Sequence, residues 1–216
     1  CMIDKGKQNI LGIGINAVDY EAATEKIIRA AVEKRVMAVS ALAVHGVMTG
    51  ALDDVHRHRL NQFDLVVPDG QPVRWAMKWL HGVELPDRVY GPELTLRVCE
   101  RAAREGLSIY LYGSRPEVLE KLESNLTTKF PGLKIAGSQP SRVRQVTDEE
   151  RAEIIETINA SGASIVLVGL GCAILVAALG DHGSVASVGR QDPAASAGAI
   201  DQVSGAAIFV HILGAV

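Results

Sequence analysis

The chain has 216 residues, 48% of them hydrophobic, 22% charged and 4% aromatic, with a formal net charge of −3. That length buries a core without disulfide or metal staples, so one compact domain is the default. The mildly acidic balance argues against nucleic-acid binding, which shows itself as a basic stripe.

The N-terminal segment CMIDKGKQN lacks the apolar stretch of a signal peptide, and nowhere does the chain run to roughly 18 consecutive apolar residues. Cys1 ahead of Met2 reads as a chain boundary, with a lipid-anchored cysteine as the alternative. Residues 10–15 make the first candidate strand. Residues 21–34 follow as an amphipathic helix with Ala23, Ile27, Ala30 and Ala31 inward. Further strands are expected at 36–42 and 63–67, the second leading into a helix that starts near Gln71. Trp75 and Trp79 stand four apart on that helix, beside Arg74 and Lys78. Such a stripe packs against the domain, stacks a sugar or rests at a bilayer interface.

The strand at 107–112 is followed by a helix over 116–129, with Pro116 and Glu117 suited to its first turn. A strand at 133–136 precedes Thr147 and Glu150, which fit a capping box opening a helix to about Ser161. The last clear strand is 164–168. This alternation predicts βαβ units: a single Rossmann-like α/β domain whose mainly parallel sheet carries helices on both faces.

Ligands of such sheets bind beyond the carboxyl ends of the strands. Asp69-Gly70, Gly113-Ser114, Gly137-Ser138 and Gly169-Leu170-Gly171 each follow a candidate strand there. Small residues at these positions let a ligand approach the backbone, although each also suits a tight turn. Gly12-Ile13-Gly14 meets only a loose dinucleotide fingerprint, lies inside a strand rather than after one, and has no acidic partner at the next strand end. No P-loop occurs. The cysteines Cys1, Cys99 and Cys172 have neither paired spacing nor companion histidines, which fits a reducing cytoplasm and no zinc site.

Asp69, in VVPDGQP, could take a proton from a substrate hydroxyl or hold a ribose; capping the helix that begins near Gln71 is the other reading. Arg88, in RVYGPE, suits a diphosphate because its planar fork binds two oxygens, unless it pairs with a carboxylate such as Glu84. His45 is either a site residue or a core histidine.

The clusters FDLVVPDGQPV, DRVYGPEL, IYLYGSRPEVLEKLESNLTTKFPGLKIAGSQPS and SIVLVGLGC, taken together, resemble the WecG/TagA/CpsF family of bacterial glycosyltransferases over residues 10–172. The resemblance implies transfer of a hexosyl or N-acetylhexosaminyl group from a UDP-sugar to a polyprenyl-diphosphate-linked sugar, with inversion and with no metal or other cofactor. It also implies cell-surface polysaccharide synthesis at the inner face of the membrane by a cytoplasmic or peripheral protein, with a homo-oligomer left open. On this likeness Asp69 is the general base. Ser40 stands where relatives place Thr, His45 matches a frequent histidine, and Leu42 replaces a frequent Asn. Gly70, Gln71, Arg88, Gly91, Gly113, Ser114, Gly137, Gly169 and Gly171 belong to segments lining the donor pocket.

Beyond Cys172 the likeness stops. The family continues with Pro, a basic residue, Gln and Glu, then a strand near A-F-D and a basic aromatic arm, whereas this chain continues Ala173-Ile174-Leu175-Val176. Residues 1–172 hold 21 of the 22 Lys and Arg and 22 of the 25 Asp and Glu; residues 173–216 hold only Asp181, Arg190, Asp192 and Asp201. We read 173–216 as a separate, low-charge tail of the kind a reading-frame shift produces, followed to its apolar end at 206–216, an aggregation hazard. Three readings stay open: a glycosyltransferase with a damaged C-terminus, a non-catalytic nucleotide-sugar binder, and another Rossmann-like nucleotide enzyme.

Overall fold

A computed structural model describes residues 2–113, 116–140 and 147–169, and the backbone of 208–211. The chain opens with a hairpin, not a single strand over 10–15: β1 (Asp4–Ile10) runs antiparallel to β2 (Ile13–Val18). Its two-residue turn puts Leu11 at φ 53° and Gly12 at φ 88°, as a twist-matched hairpin loop needs. The sequence conceals this because Leu at the first turn position is not a turn signal, and β1 is almost wholly polar.

The main sheet contains β3 (Met37–Leu42), β4 (Leu65–Pro68), β5 (Ser108–Gly113), β6 (Lys134–Gln139), β7 (Ile165–Gly169) and β8 (Ile208–His211). Its order is β4-β3-β8-β7-β5-β6, and every neighbouring pair is parallel. β8 lies in the low-charge segment; the rest of 173–207 and 212–216 is outside the described residues. Because β3 and β7 each pair with β8, this short strand joins the β4-β3 half of the sheet to the β7-β5-β6 half.

Helices α1 (Tyr20–Val32), α5 (Gly91–Glu105) and α6 (Pro116–Lys129) cover one face; α2 (Val44–Leu52), α3 (Asp54–Asn61), α4 (Gln71–His81), α7 (Asp148–Ala160) and the hairpin cover the other. Strand alternation makes the division. Val39, Val67, Ile109 and Leu167 pack with Ile27, Leu94, Val98 and Leu126 in one core. Ala38, Val66, Tyr110 and Val168 pack with Ile15, Val47, Met77 and Ile158 in the other.

The inward positions foreseen on α1, Ala23, Ile27, Ala30 and Ala31, are all buried. That helix ends two residues before the expected Lys34, which turns away at φ 52°. α6 has the expected bounds. On α7 both halves of the capping box form: Glu150 N donates to Thr147 Oγ1 at 3.3 Å and Thr147 N to Glu150 Oε2 at 3.0 Å. Cys99 is free and buried in α5, and burial pushes its thiol up to about 12, so it stays protonated.

Candidate active site

All the paired strands of the sheet point one way, so their carboxyl ends share one edge: Leu42, Pro68, Gly113, Gln139, Gly169 and His211. Asp69 stands one residue past β4. Its N–H donates to Leu42 O at 3.1 Å, extending the ladder from β3, while Pro68 O accepts from Val89 N at 2.8 Å. Gly70, at φ 94° and ψ 148°, then turns the chain into α4, with Pro72 in the first turn. A side chain at that backbone angle would be strained, so Gly70 is what lets the strand end and the helix begin within two residues.

Gly70, not Asp69, is the residue preceding α4, and no side chain caps that helix. The carboxylate instead crosses to a different helix: Oδ2 accepts from the N–H of Gly91, the first residue of α5, at 3.4 Å. Asp69 is only 4% exposed. Burial pushes its carboxyl above the usual carboxylate range, and the Gly91 N–H and the Arg88 guanidinium offset part of that rise. A carboxylate so placed is a stronger base than one in water, and its charged form is held by one amide and one nearby cation.

The 88–91 segment that supplies these partners is itself pinned. Tyr90 N donates to the hydroxyl of Tyr20 on α1 at 2.9 Å. Asp87 Oδ1 accepts from Arg88 N at 2.7 Å and from Gln71 Nε2 at 3.2 Å, while Gln71 Oε1 accepts from Arg74 Nη1 at 3.2 Å. The Arg88 guanidinium lies 4.7 Å over the Tyr90 ring. Glu84, the expected alternative partner of Arg88, pairs with Lys78 instead. Among the described residues Arg88 forms no ion pair, so its fork is left to a ligand or to solvent. Tyr20 and Asp87 were not foreseen as site residues; Tyr20 acts on Tyr90 from 70 positions away, and no local pattern marks such a contact.

Farther along the same edge, Gly113 and Gly169 end β5 and β7 side by side in register. Gly113 has φ +117°, and a Cβ there would come within 3.0 Å of Gly169 N. At Gly169, by contrast, a side chain would meet no atom of the described residues within 4 Å. Of the pair, Gly169 is exposed and Gly113 is buried.

The other expected residues scatter. Ser40 is buried at 1% exposure inside β3, in register with Val66 and His211. His45 is exposed in the first turn of α2, so it is not a core histidine. Gly137 does not follow a strand: β6 continues to Gln139, and a Cβ at Gly137 would come 2.8 Å from the Tyr110 ring, which gives the glycine a packing reason. Ser114 and Gly171 lie outside the described residues. Asp69, Gly70, Gln71, Arg88 and Gly91 therefore form one cluster, and Gly113 with Gly169 a second. Among the described residues no group of three or more His, Cys, Asp or Glu could hold a metal ion.

The parallel sheet with helices on both faces defines the chain as an α/β domain of Rossmann-like type, with a buried carboxylate and an arginine at its carboxyl edge. The family model for the glycosyl transferase WecG/TagA/CpsF family matches residues 8–174, and the chain belongs to that family. It is a glycosyltransferase by descent, of a family that uses nucleotide-sugar donors and lipid-linked acceptors in cell-envelope synthesis. No helix among the described residues is long and apolar enough to cross a membrane. Of the loose dinucleotide fingerprint, expected inside one strand, Gly12 falls in the β1–β2 turn and Gly14 inside β2, so the pair opens no helix.

Proposed function

We propose that the chain transfers a hexosyl or N-acetylhexosaminyl group, with inversion, from a UDP-sugar to a polyprenyl-diphosphate-linked sugar. Asp69 accepts the proton of the acceptor hydroxyl as that oxygen attacks the anomeric carbon and the bond to UDP breaks. Arg88 and the amides at Gly113 and Gly169 meet the diphosphate, where negative charge grows as UDP departs. Ser40, Gly70, Gln71 and Gly91 shape the donor pocket around them, and His45 contributes from its rim. The observation that carries this reading is the buried Asp69 carboxylate at the β4 end, raised by desolvation and facing Gly91 N–H. UDP release in the presence of a lipid-diphosphate acceptor tests it: Asp69→Asn is expected to lower release about 10²- to 10⁴-fold while UDP still binds. Unchanged release would refute the role.

A second reading is a nucleotide-sugar binder without turnover, and the composition of residues 173–216 favours it. In this reading the segment arises from a frameshift and the chain lacks the Gln-Glu pair of the family, so turnover is weak or absent. UDP binding by calorimetry without release would select it. A gene sequence with no P-[KR]-Q-E continuation in either alternative frame around codon 172 would remove the frameshift explanation.

A further inference from the structure

Helix α4, which leaves the site directly after Asp69 and Gly70, turns an unusual face outward. Its buried side is Val73 and Met77, while Trp75 and Trp79 are 46% and 78% exposed and Leu80 59%. The two indole rings stack at a centroid distance of 6.2 Å, so the tryptophans form one patch and do not pack into the domain. Large apolar side chains grouped on a surface mark an interaction site.

Charge narrows the choice of partner. In a protein of net charge −3, residues 71–81 carry Arg74, Lys78 and His81 and no acid. Two carboxylates follow the helix: Glu84 pairs with Lys78 and also feels Arg74 and Lys5, and Asp87 accepts from Gln71 Nε2, so three cations stand against two anions. A second exposed apolar row, Val44, Met48 and Leu52 on α2, has no Lys or Arg on its helix. Paired tryptophans flanked by cations match the headgroup level of an anionic bilayer, where the ring body meets acyl chains and the indole N–H stays wet. A second copy of the same face would set cations against identical cations.

We infer that the α4 face, centred on Trp75, Lys78 and Trp79, docks the protein on an anionic lipid bilayer. The inference rests on the proposed lipid-linked acceptor, and it names the surface that brings the site to that acceptor. Trp75 and Trp79 lie about 6 and 12 Å along the helix from its start beside Asp69, so a protein seated on this face holds its carboxylate close to the headgroups.

The chain contains only these two tryptophans, so its indole emission reads this face alone. Vesicles of phosphatidylglycerol and phosphatidylcholine are expected to shift the emission to the blue, and brominated lipid to quench it. Pure phosphatidylcholine is expected to act more weakly, and added salt to reverse the shift. Trp79→Ser, which keeps Trp75 as reporter, is expected to lower partitioning about tenfold. Glu84→Gln is expected to raise it about fivefold. Emission that stays unchanged at saturating anionic vesicles would overturn the inference. So would a blue shift that follows protein concentration without lipid, together with a dimer in sedimentation, because that assigns the face to self-association. UDP calorimetry on the same samples separates the two proposals: vesicle docking without UDP binding sinks the transferase reading alone, and UDP binding without docking sinks this one alone.

Discussion

The end of β4 and the paired ends of β5 and β7 lie on the same edge of one sheet, yet they are made of opposite materials. At β4 a carboxylate is buried and answered by an amide from α5 and a cation from the preceding loop. At β5 and β7 two glycines stand in register, Gly113 buried and Gly169 exposed with no described atom within reach of an added side chain. On the proposed function, the first end holds and moves a proton, at the cost of desolvating a charge, and the second lets a ligand reach the main chain at Gly169. The two ends are therefore expected to respond differently to substitution.

The largest effect is expected from Asp69→Asn, which keeps the shape and removes the base: transferase turnover falls about 10²- to 10⁴-fold, with UDP affinity little changed by calorimetry. If UDP affinity falls as far as turnover, the division between the two ends is wrong. Gly113→Ala comes next. A methyl group at φ +117° and 3.0 Å from Gly169 N must distort the paired strand ends, so chemical denaturation is expected to report a loss of about 1–3 kcal/mol. Its neighbour provides the control. Gly169→Ala meets no atom of the described residues within 4 Å, so stability is expected to stay within about 0.5–1 kcal/mol, the ordinary strand preference, while UDP affinity falls about tenfold by obstruction.

Arg88→Ala is expected to cost a similar factor in UDP affinity and little stability, since the guanidinium rests on Tyr90 without an ion pair to lose. The smallest effect concerns pH. Asp69 has its carboxyl raised above 3.8 in the folded protein, so folding binds the proton more tightly than the unfolded chain does. Its contribution to stability is full below the unfolded value and is lost as pH rises through the folded one. Asp69→Asn is therefore expected to be more stable than the parent at pH 7, with the gain shrinking toward pH 4, in denaturant titrations at the two pH values. A gain that grows on acidification would mean that Gly91 and Arg88 outweigh burial.

Much of the scaffold was legible where local chemistry and tertiary context agree. Thr147 and Glu150 satisfy each other within one turn, and Pro116 and Glu117 open α6 where expected. The hairpin was not legible, because Leu11 takes a left-handed angle that its side chain disfavours and a polar β1 shows no strand alternation. β8 was not legible either: four residues inside an Ala- and Gly-rich segment become a central strand only because β3 and β7 both have free edges to offer it. At the site, Asp69 stood out from its strand-end position between Pro68 and Gly70, but its partner did not. Gly91 is 22 residues away, and the alternative reading, capping of α4, gives way to a contact with α5. Gly137 reads as a strand-end glycine in the sequence, but β6 continues to Gln139 and the Tyr110 ring lies over it, a neighbour from another strand that no local pattern marks.

By itself the sequence determined the parallel α/β class, the family of the chain, the abrupt loss of charge after Cys172, and Asp69 as the leading catalytic candidate. These depend on periodicity, composition and short motifs, which act over a few residues. Only the tertiary structure decided that Asp69 is buried and faces Gly91, that Arg88 is unpaired among the described residues, that Gly113 and Gly169 lie side by side, and that Trp75 and Trp79 face outward. Burial and proximity arise from how distant segments pack, and a carboxyl's basicity or a tryptophan's exposure depends on its neighbours in space, which the order of residues along the chain does not specify.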